Sequence, residues 1–379
     1  MSWDATIWFL LGTMTPSFLL AWSLTYAART LAPRWGLVDR PNQRKVHTQP
    51  TPLGGGLAIG LSVLGTFLLG QLVLRYVVNF HAERWLPEFA RPHVEGMMQQ
   101  SMALWWVLLG ATVLMTIGLI DDRVGLDWRI RLTVQVLVAA FCVITQGWRL
   151  TAFIAVPHLA WVVSVFLSTL WIVALVNSFN MLDNMDGLSA GVALIASSVL
   201  AAVMLIAPDP TTNRPQLFVA GFLLVLAGAL LGFLWHNRPP AKIFMGDAGS
   251  YFIGFCIAIA TLLATYAGYR GKPHAILAPL CVMAVPLYDM ITVVWIRLRQ
   301  GRSPFKADKN HFSHRLVELG LSKGQAVLTI YLTTATCGLG ALLLHQVNRF
   351  GAGIILLLVL SVLCLIAILE STARRKLNE

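Results

Sequence analysis

The stretch SMALWWVLLGATVLMTIGLIDDR, residues 101–123, decides how the rest of the chain is read. Ser101–Ile120 carries no charge and is long enough to cross a bilayer as a helix, which takes about 20 mostly apolar residues. It runs without a spacer into two adjacent carboxylates, Asp121 and Asp122, followed by Arg123. Such a pair at a membrane boundary is costly unless paired, hydrated or metal-bound. The C-terminal end of a helix disfavours negative charge as well. The bland reading is a solvated helix end; the sharper one is a functional site at the edge of a spanning helix.

Working outward, the apolar pattern recurs at Ile7–Ala28, Leu53–Val78, Leu132–Gly147, Leu159–Val176, Leu188–Ala207, Gln216–Trp235, Gly249–Tyr269, Ala275–Ile296, Lys323–His345 and Gly351–Glu370. This predicts an all-α integral membrane protein of about eleven transmembrane helices, a single polytopic domain over residues 1–379. Only 12% of residues are charged, where a soluble domain carries about 25%, and 57% are hydrophobic. The five cysteines all lie in apolar runs without CxxC spacing, as small packing residues do. The net charge of +11 falls on connections between spans, so headgroups and topology account for it and nucleic acid is not an expected partner. No basic segment precedes the first apolar run, whereas Arg29 and Arg34 follow it, which predicts a retained first helix.

Connections 29–52, 121–131, 177–187, 237–247, 297–323 and the tail after 370 hold 20 of the 28 Lys and Arg residues. The positive-inside rule makes these connections cytoplasmic, with the N-terminus outside and the C-terminus inside. Eight aspartates share that side: Asp39, Asp121, Asp122, Asp127, Asp183, Asp186, Asp247 and Asp308. Asp4 and Asp209 fall opposite, and Asp289 lies within the ninth span, where it could support a site or pair with an arginine. The rule acts on Lys and Arg, so the aspartate bias needs another cause, and the cytoplasmic loops are the expected active site.

Four further motifs lie on that face. In NSFNMLDNMDGL, residues 177–188, polar groups recur every third position at Asn177, Asn180, Asp183 and Asp186, a spiral that predicts a break near 184–187. In NRPPAKIFMGDAGS, residues 237–250, Gly246 and Gly249 permit close backbone approach, Lys242 could meet a phosphate and Phe244 could stack on a base. The 297–315 loop offers Arg302, Lys306, Arg315, His311 and His314 among others; basic residues there suit phosphate or anionic lipid equally. Arg44-Lys45-Val46-His47 leads to Gly54-Gly55-Gly56, a helix start that can cradle phosphate or merely pack closely. An oxygen-rich, cysteine-free site favours Mg²⁺ over zinc. Carboxylates, a hard cation, basic groups and an aromatic together suit phosphoryl transfer. An ion-coupled transporter with an aspartate relay is the competing class, although such relays sit near the midplane and often in repeats.

These motifs, in this order between these spans, resemble the polyprenyl-phosphate N-acetylhexosamine-1-phosphate transferases, related to phospho-MurNAc-pentapeptide translocase; the likeness runs from about Gly36 to Leu316. The resemblance implies transfer of a sugar 1-phosphate, GlcNAc-1-phosphate above all, from a UDP-sugar to undecaprenyl phosphate. UMP is released, in the first membrane step of a cell-wall or lipopolysaccharide polymer at the bacterial inner membrane. It implies Mg²⁺, with Mn²⁺ as a substitute, held by Asp247. Asp121 and Asp122 would handle the lipid phosphate, Asp183 and Asp186 would lie near the nucleotide, and His311 and His314 near the diphosphate. The substrate-binding set it suggests, together with the basic residues above, is Lys45, His47, Asn177, Asn180, Asn237, Lys242, Phe244, Arg302 and Arg315. The partners are the UDP-N-acetylhexosamine, undecaprenyl phosphate and membrane lipid, with a homodimer left open. A phosphate monoester has its second pKa at about 6, so Asp121 and Asp122 are expected to position rather than deprotonate. Two positions depart from the pattern: Asn184, where many members have Gly, and Ser313, where common relatives have a further His.

Overall fold

The computed structural model describes residues 2–39, 50–80, 86, 88, 90–150, 156–207, 215–266, 273–306, 308 and 310–378. Lys45 and His47 lie outside the described residues. The helices are α1 (Trp3–Leu31), α2 (Gly55–Asn79), α3 (Val94–Val124), α4 (Trp128–Gln146), α5 (Pro157–Leu182), α6 (Leu188–Ile206) and α7 (Leu217–Asn237). They continue with α8 (Gly246–Tyr266), the short α9 (Ala278–Val282), α10 (Ala284–Arg299), the short α11 (Phe312–Glu318), α12 (Lys323–Leu344) and α13 (Arg349–Asn378). Among the described residues, ten helices are long and apolar enough to cross a membrane, or eleven if one bent pair counts as a span.

That bent pair is the expected ninth span. A turn ending in α9 and the helix α10 meet at a 67° break instead of running straight. Proline explains it: Pro286 has no N–H to return to the preceding turn, and its ring crowds the carbonyl four residues back. α3 overruns its apolar segment, so Asp121 and Asp122 lie in its last turn and not beyond it. α4 begins at Trp128 because the Asp127 carboxylate caps it, accepting from Arg129 N at 2.8 Å.

α8 is the hub, packed against α2, α3, α5, α6 and α7, while α7 also carries α1. α7 and α8 are buried along most of their length, and α1 and α13 along little of theirs. Small residues allow this. A Cβ on Gly232 of α7 would meet the Phe18 carbonyl and Trp22 amide of α1, so the two backbones pack directly. A two-stranded antiparallel ribbon, β1 (Val38–Asp39) with β2 (Thr51–Pro52), precedes α2, and Leu53 pairs onward with Phe244.

Candidate active site

The site is built around the start of α8. Gly246 takes φ +72°, a left-handed turn that glycine adopts without cost. The first amides of any helix lack partners within it. Here Asp122 of α3 supplies them: Oδ1 accepts from Asp247 N at 2.8 Å and Oδ2 from Ala248 N at 3.2 Å. The carboxylate that closes one span therefore caps another and orients its neighbour Asp247. Glycine at 118 makes the approach possible, since a Cβ there would stand 2.5 Å from the Asp247 carbonyl. From the other side, Gly55 N donates to the Phe244 carbonyl at 3.0 Å and Gly56 N to the Met245 carbonyl at 2.9 Å. The Gly55 and Gly56 amides are engaged by protein, and a Cβ at either would meet neighbouring atoms, so close packing is what these two glycines do.

Asp247 Oδ1 accepts from Asn180 Nδ2 at 2.6 Å, which also reaches Ser250 Oγ at 3.2 Å. Arg131 of α4 bridges two carboxylates, 2.6 Å from Asp121 Oδ2 and 3.5 Å from Asp247 Oδ2. Asp121 also accepts from Leu126 N at 2.5 Å. Arg131 is not visible from the sequence as a site residue: it lies ten positions past Asp121, in a stretch where Arg123, Arg129 and Arg131 look alike. Among the described residues no three His, Cys, Asp or Glu side chains close a complete metal cage. The donor set still fits a hard cation, because Mg²⁺ commonly takes one or two protein carboxylates and completes its shell with substrate phosphates and water.

The segment 183–187 breaks the chain between α5 and α6, as the polar spiral predicts. Burial, with Asp122 and Asp186 nearby, pushes the Asp183 carboxyl up to about 7, against a backbone amide at Gly246 that favours its charged form. Asp186 Oδ2 accepts from Ala241 N at 3.0 Å. Asn237 spans the same two loops, accepting from Gly187 N at 2.9 Å and donating to the Ile243 carbonyl at 2.8 Å. Asn177 instead joins α5 to α4 through Gln135 Oε1 at 2.6 Å. Lys242 and Arg302 are exposed, and Phe244 is half-buried.

The histidine segment rests on a buried charge layer. Asp289, with no exposed surface, lies 3.0 Å from His311 Nδ1 and accepts from Phe312 N at 2.5 Å. Facing a carboxylate oxygen, Nδ1 is placed as the donor, and Nε2 is turned away from that contact. His314 follows one turn on, its ring 6.3 Å from that of His311. Arg315 is buried, reaching the Asn310 carbonyl at 2.5 Å, Thr292 Oγ1 at 3.0 Å and Glu370 of α13 at 3.0 Å. Its donors thus hold the segment to α10 and α13. Glu370 gave no signal in the sequence, where it closes an apolar run; Tyr288 donates to it at 2.8 Å. Asp308, a carboxylate without an expected role, accepts from Arg297 Nε at 3.1 Å.

A decaprenyl-phosphate N-acetylglucosaminephosphotransferase of Mycobacterium tuberculosis is 36% identical over 341 residues, which cover 85% of this chain and 79% of the relative. Residues 104–265 match the pattern of glycosyl transferase family 4. The chain belongs to that family. Within it, a probable undecaprenyl-phosphate N-acetylglucosaminyl 1-phosphate transferase of Bacillus subtilis is 31% identical over 337 residues, 87% of this chain and 83% of the relative. An undecaprenyl-phosphate α-N-acetylglucosaminyl 1-phosphate transferase of Escherichia coli is 29% identical over 329 residues, 84% and 79% of the two chains. The family match spans α3 to α8 and so includes the Asp121–Asp122 pair, the acidic loop and Asp247. None of these relatives is a transporter by name, and the relay reading finds no support in them.

Proposed function

We propose that this chain transfers GlcNAc 1-phosphate from UDP-GlcNAc to undecaprenyl phosphate. An oxygen of the lipid phosphate forms a bond to the β-phosphorus of the donor, the bond from that phosphorus to the bridging oxygen breaks, and UMP leaves. The single observation that carries the proposal is the convergence of distant motifs on Asp247, in a chain similar over 85% of its length to N-acetylglucosamine phosphotransferases.

Asp247, with Asp121 beside it, would hold Mg²⁺, or Mn²⁺ in its place. When bound, the cation neutralises charge on the phosphates. Asp122 aims Asp247 by capping α8. Asn180 fixes the carboxylate's other oxygen, and Arg131 supplies positive charge between Asp121 and Asp247. The attacking phosphate has its second pKa at about 6, so it arrives largely dianionic and needs no base. The acidic loop and the histidine segment seat the donor. The site faces the cytoplasm, on the distribution of basic loops, and the product opens the assembly of an envelope polysaccharide.

The test is purified protein incubated with Mg²⁺, undecaprenyl phosphate and a panel of UDP-N-acetylhexosamines, scoring UMP. UMP release with UDP-GlcNAc is the expected result. No release with any of the panel would sink the proposal.

A further inference from the structure

Asn184 and Ser313, the two positions at which the sequence departs from the pattern it otherwise resembles, touch each other. Ser313 Oγ donates to Asn184 Oδ1 at 2.5 Å across 129 positions of sequence. The amide is not free to turn round. Its Nδ2 donates to the Met181 carbonyl at 2.9 Å, one of the last-turn carbonyls of α5 that no further helical residue satisfies. That bond fixes which end of the amide faces Ser313. Ser313 is only 1% exposed, so its hydroxyl has little access to water if the bond is lost.

One asparagine thus ties the last turn of α5 to the first turn of α11. Asp183 and Asp186 flank it on one side of the joint, and His311 and His314 flank Ser313 on the other. The histidine segment is already fixed from beneath by Asp289; the Asn184 contact fixes it sideways, against the acidic loop. We infer that Asn184 and Ser313 form one coupled positioning unit that sets the spacing between the acidic loop and the histidine turn, and with it the seat of the UDP-sugar. The inference rests on the function proposed above.

Its chemistry predicts how substitutions combine. Glycine at 184 leaves the Ser313 hydroxyl and the Met181 carbonyl without their partner. Histidine at 313 drives an imidazole into the space the Asn184 side chain fills. Made together, the imidazole occupies the room the amide vacates. The departures are therefore a matched exchange and not two independent ones.

The experiment compares full-length wild type, Asn184→Gly, Ser313→His and the double variant for UMP release at varied UDP-GlcNAc, with thermal melting alongside. Each single change should raise KM for the donor about tenfold, the scale of one buried hydrogen bond, with kcat changed less than about threefold. The double variant should return KM to within about threefold of wild type, because residues in contact do not act independently. Single effects that simply multiply in the double variant, or singles with unchanged KM, overturn the inference. If Ser313→His does not fold, recovery of folded protein in the double variant supports the coupling and its failure counts against it. The milder cycle of Ser313→Ala and Asn184→Ala is then measured the same way, and multiplying effects there overturn it too. A wild type that releases no UMP would refute the proposed function instead, and the melting-temperature cycle would still decide whether the pair is coupled.

Discussion

Two charged clusters, joined through Asn184 and Ser313, are built on opposite plans. Around the histidine segment three buried or partly buried acids each meet a basic side chain: Asp289 with His311, Asp308 with Arg297, Glu370 with Arg315. Around the start of α8, Asp121, Asp122, Asp183 and Asp247 gather near Arg131, the one cation seen to pair with them among the described residues. Buried charge without a partner is expensive. The balanced cluster carries its own counter-charges and holds the histidine segment in place. The unbalanced one must be relieved by a proton, as burial does at Asp183, or by an added cation. The excess of carboxylates is thus a better marker of chemistry than the number of ion pairs.

The sharpest way to break this comparison is to neutralise one member of each cluster. Asp247→Asn should lower UMP release about 10³-fold, the scale of a lost electrostatic contact in a transition state, while the melting temperature holds or rises. A chelator should reproduce the loss and Mg²⁺ reverse it. Equal loss of folding would return Asp247 to the scaffold. Asp308→Ala should do the reverse. It strands the buried Arg297, a cost of about 3 kcal/mol, read as a lower melting temperature with activity per folded molecule little changed. The Asp308 carboxyl is held down to about 2 by Arg297 and Asn310, although its partial burial works against this. Its folded value lies below an unfolded one of about 3.9, so the pair's stabilisation is full above pH 4 and fades as pH falls through 2.

Asp183 has the opposite sign. Its folded value of about 7 lies above the unfolded one, so its contribution is intact below pH 4 and lost as pH rises through 7. Asp183→Asn should therefore melt higher than wild type at pH 8, with the gap narrowing by pH 5 and closing below pH 4. No gap at pH 8 would remove Asp183 from the strained cluster. The smallest effect is expected outside both clusters: Asp127→Ala removes the cap of α4 and should cost about 1 kcal/mol, seen in thermal melting with UMP release unchanged.

The spans and their polar ends were legible because both are local: a run of about 20 apolar residues, then a charge. The break between α9 and α10 was not, since Pro279 and Pro286 sit in an apolar run that reads as one span by composition. What each polar residue touches was legible least. Asp122 looked like a substrate group, and its carboxylate holds the amides of a helix that starts more than a hundred residues later. Arg315 looked like a phosphate fork, and its guanidinium is taken by Thr292, Asn310 and Glu370. Of Asp39, Asp127 and Asp308, the carboxylates in excess of any mechanism, two prove to be a cap, Asp127, and an ion-pair partner, Asp308. Such partners are fixed by helix packing, which no local pattern encodes.

The glycines at 56, 118 and 249 have a consequence for inhibition. A methyl group at 118 would meet the backbone of Asp247 and Ala248, and one at 56 that of Gly249. The floor beneath Asp247 is main chain, and substitution cannot reshape it without displacing the carboxylate. A compound seated on that floor would leave resistance few routes there. Escape would have to come from exposed side chains away from this packing, where a change of residue costs the fold little.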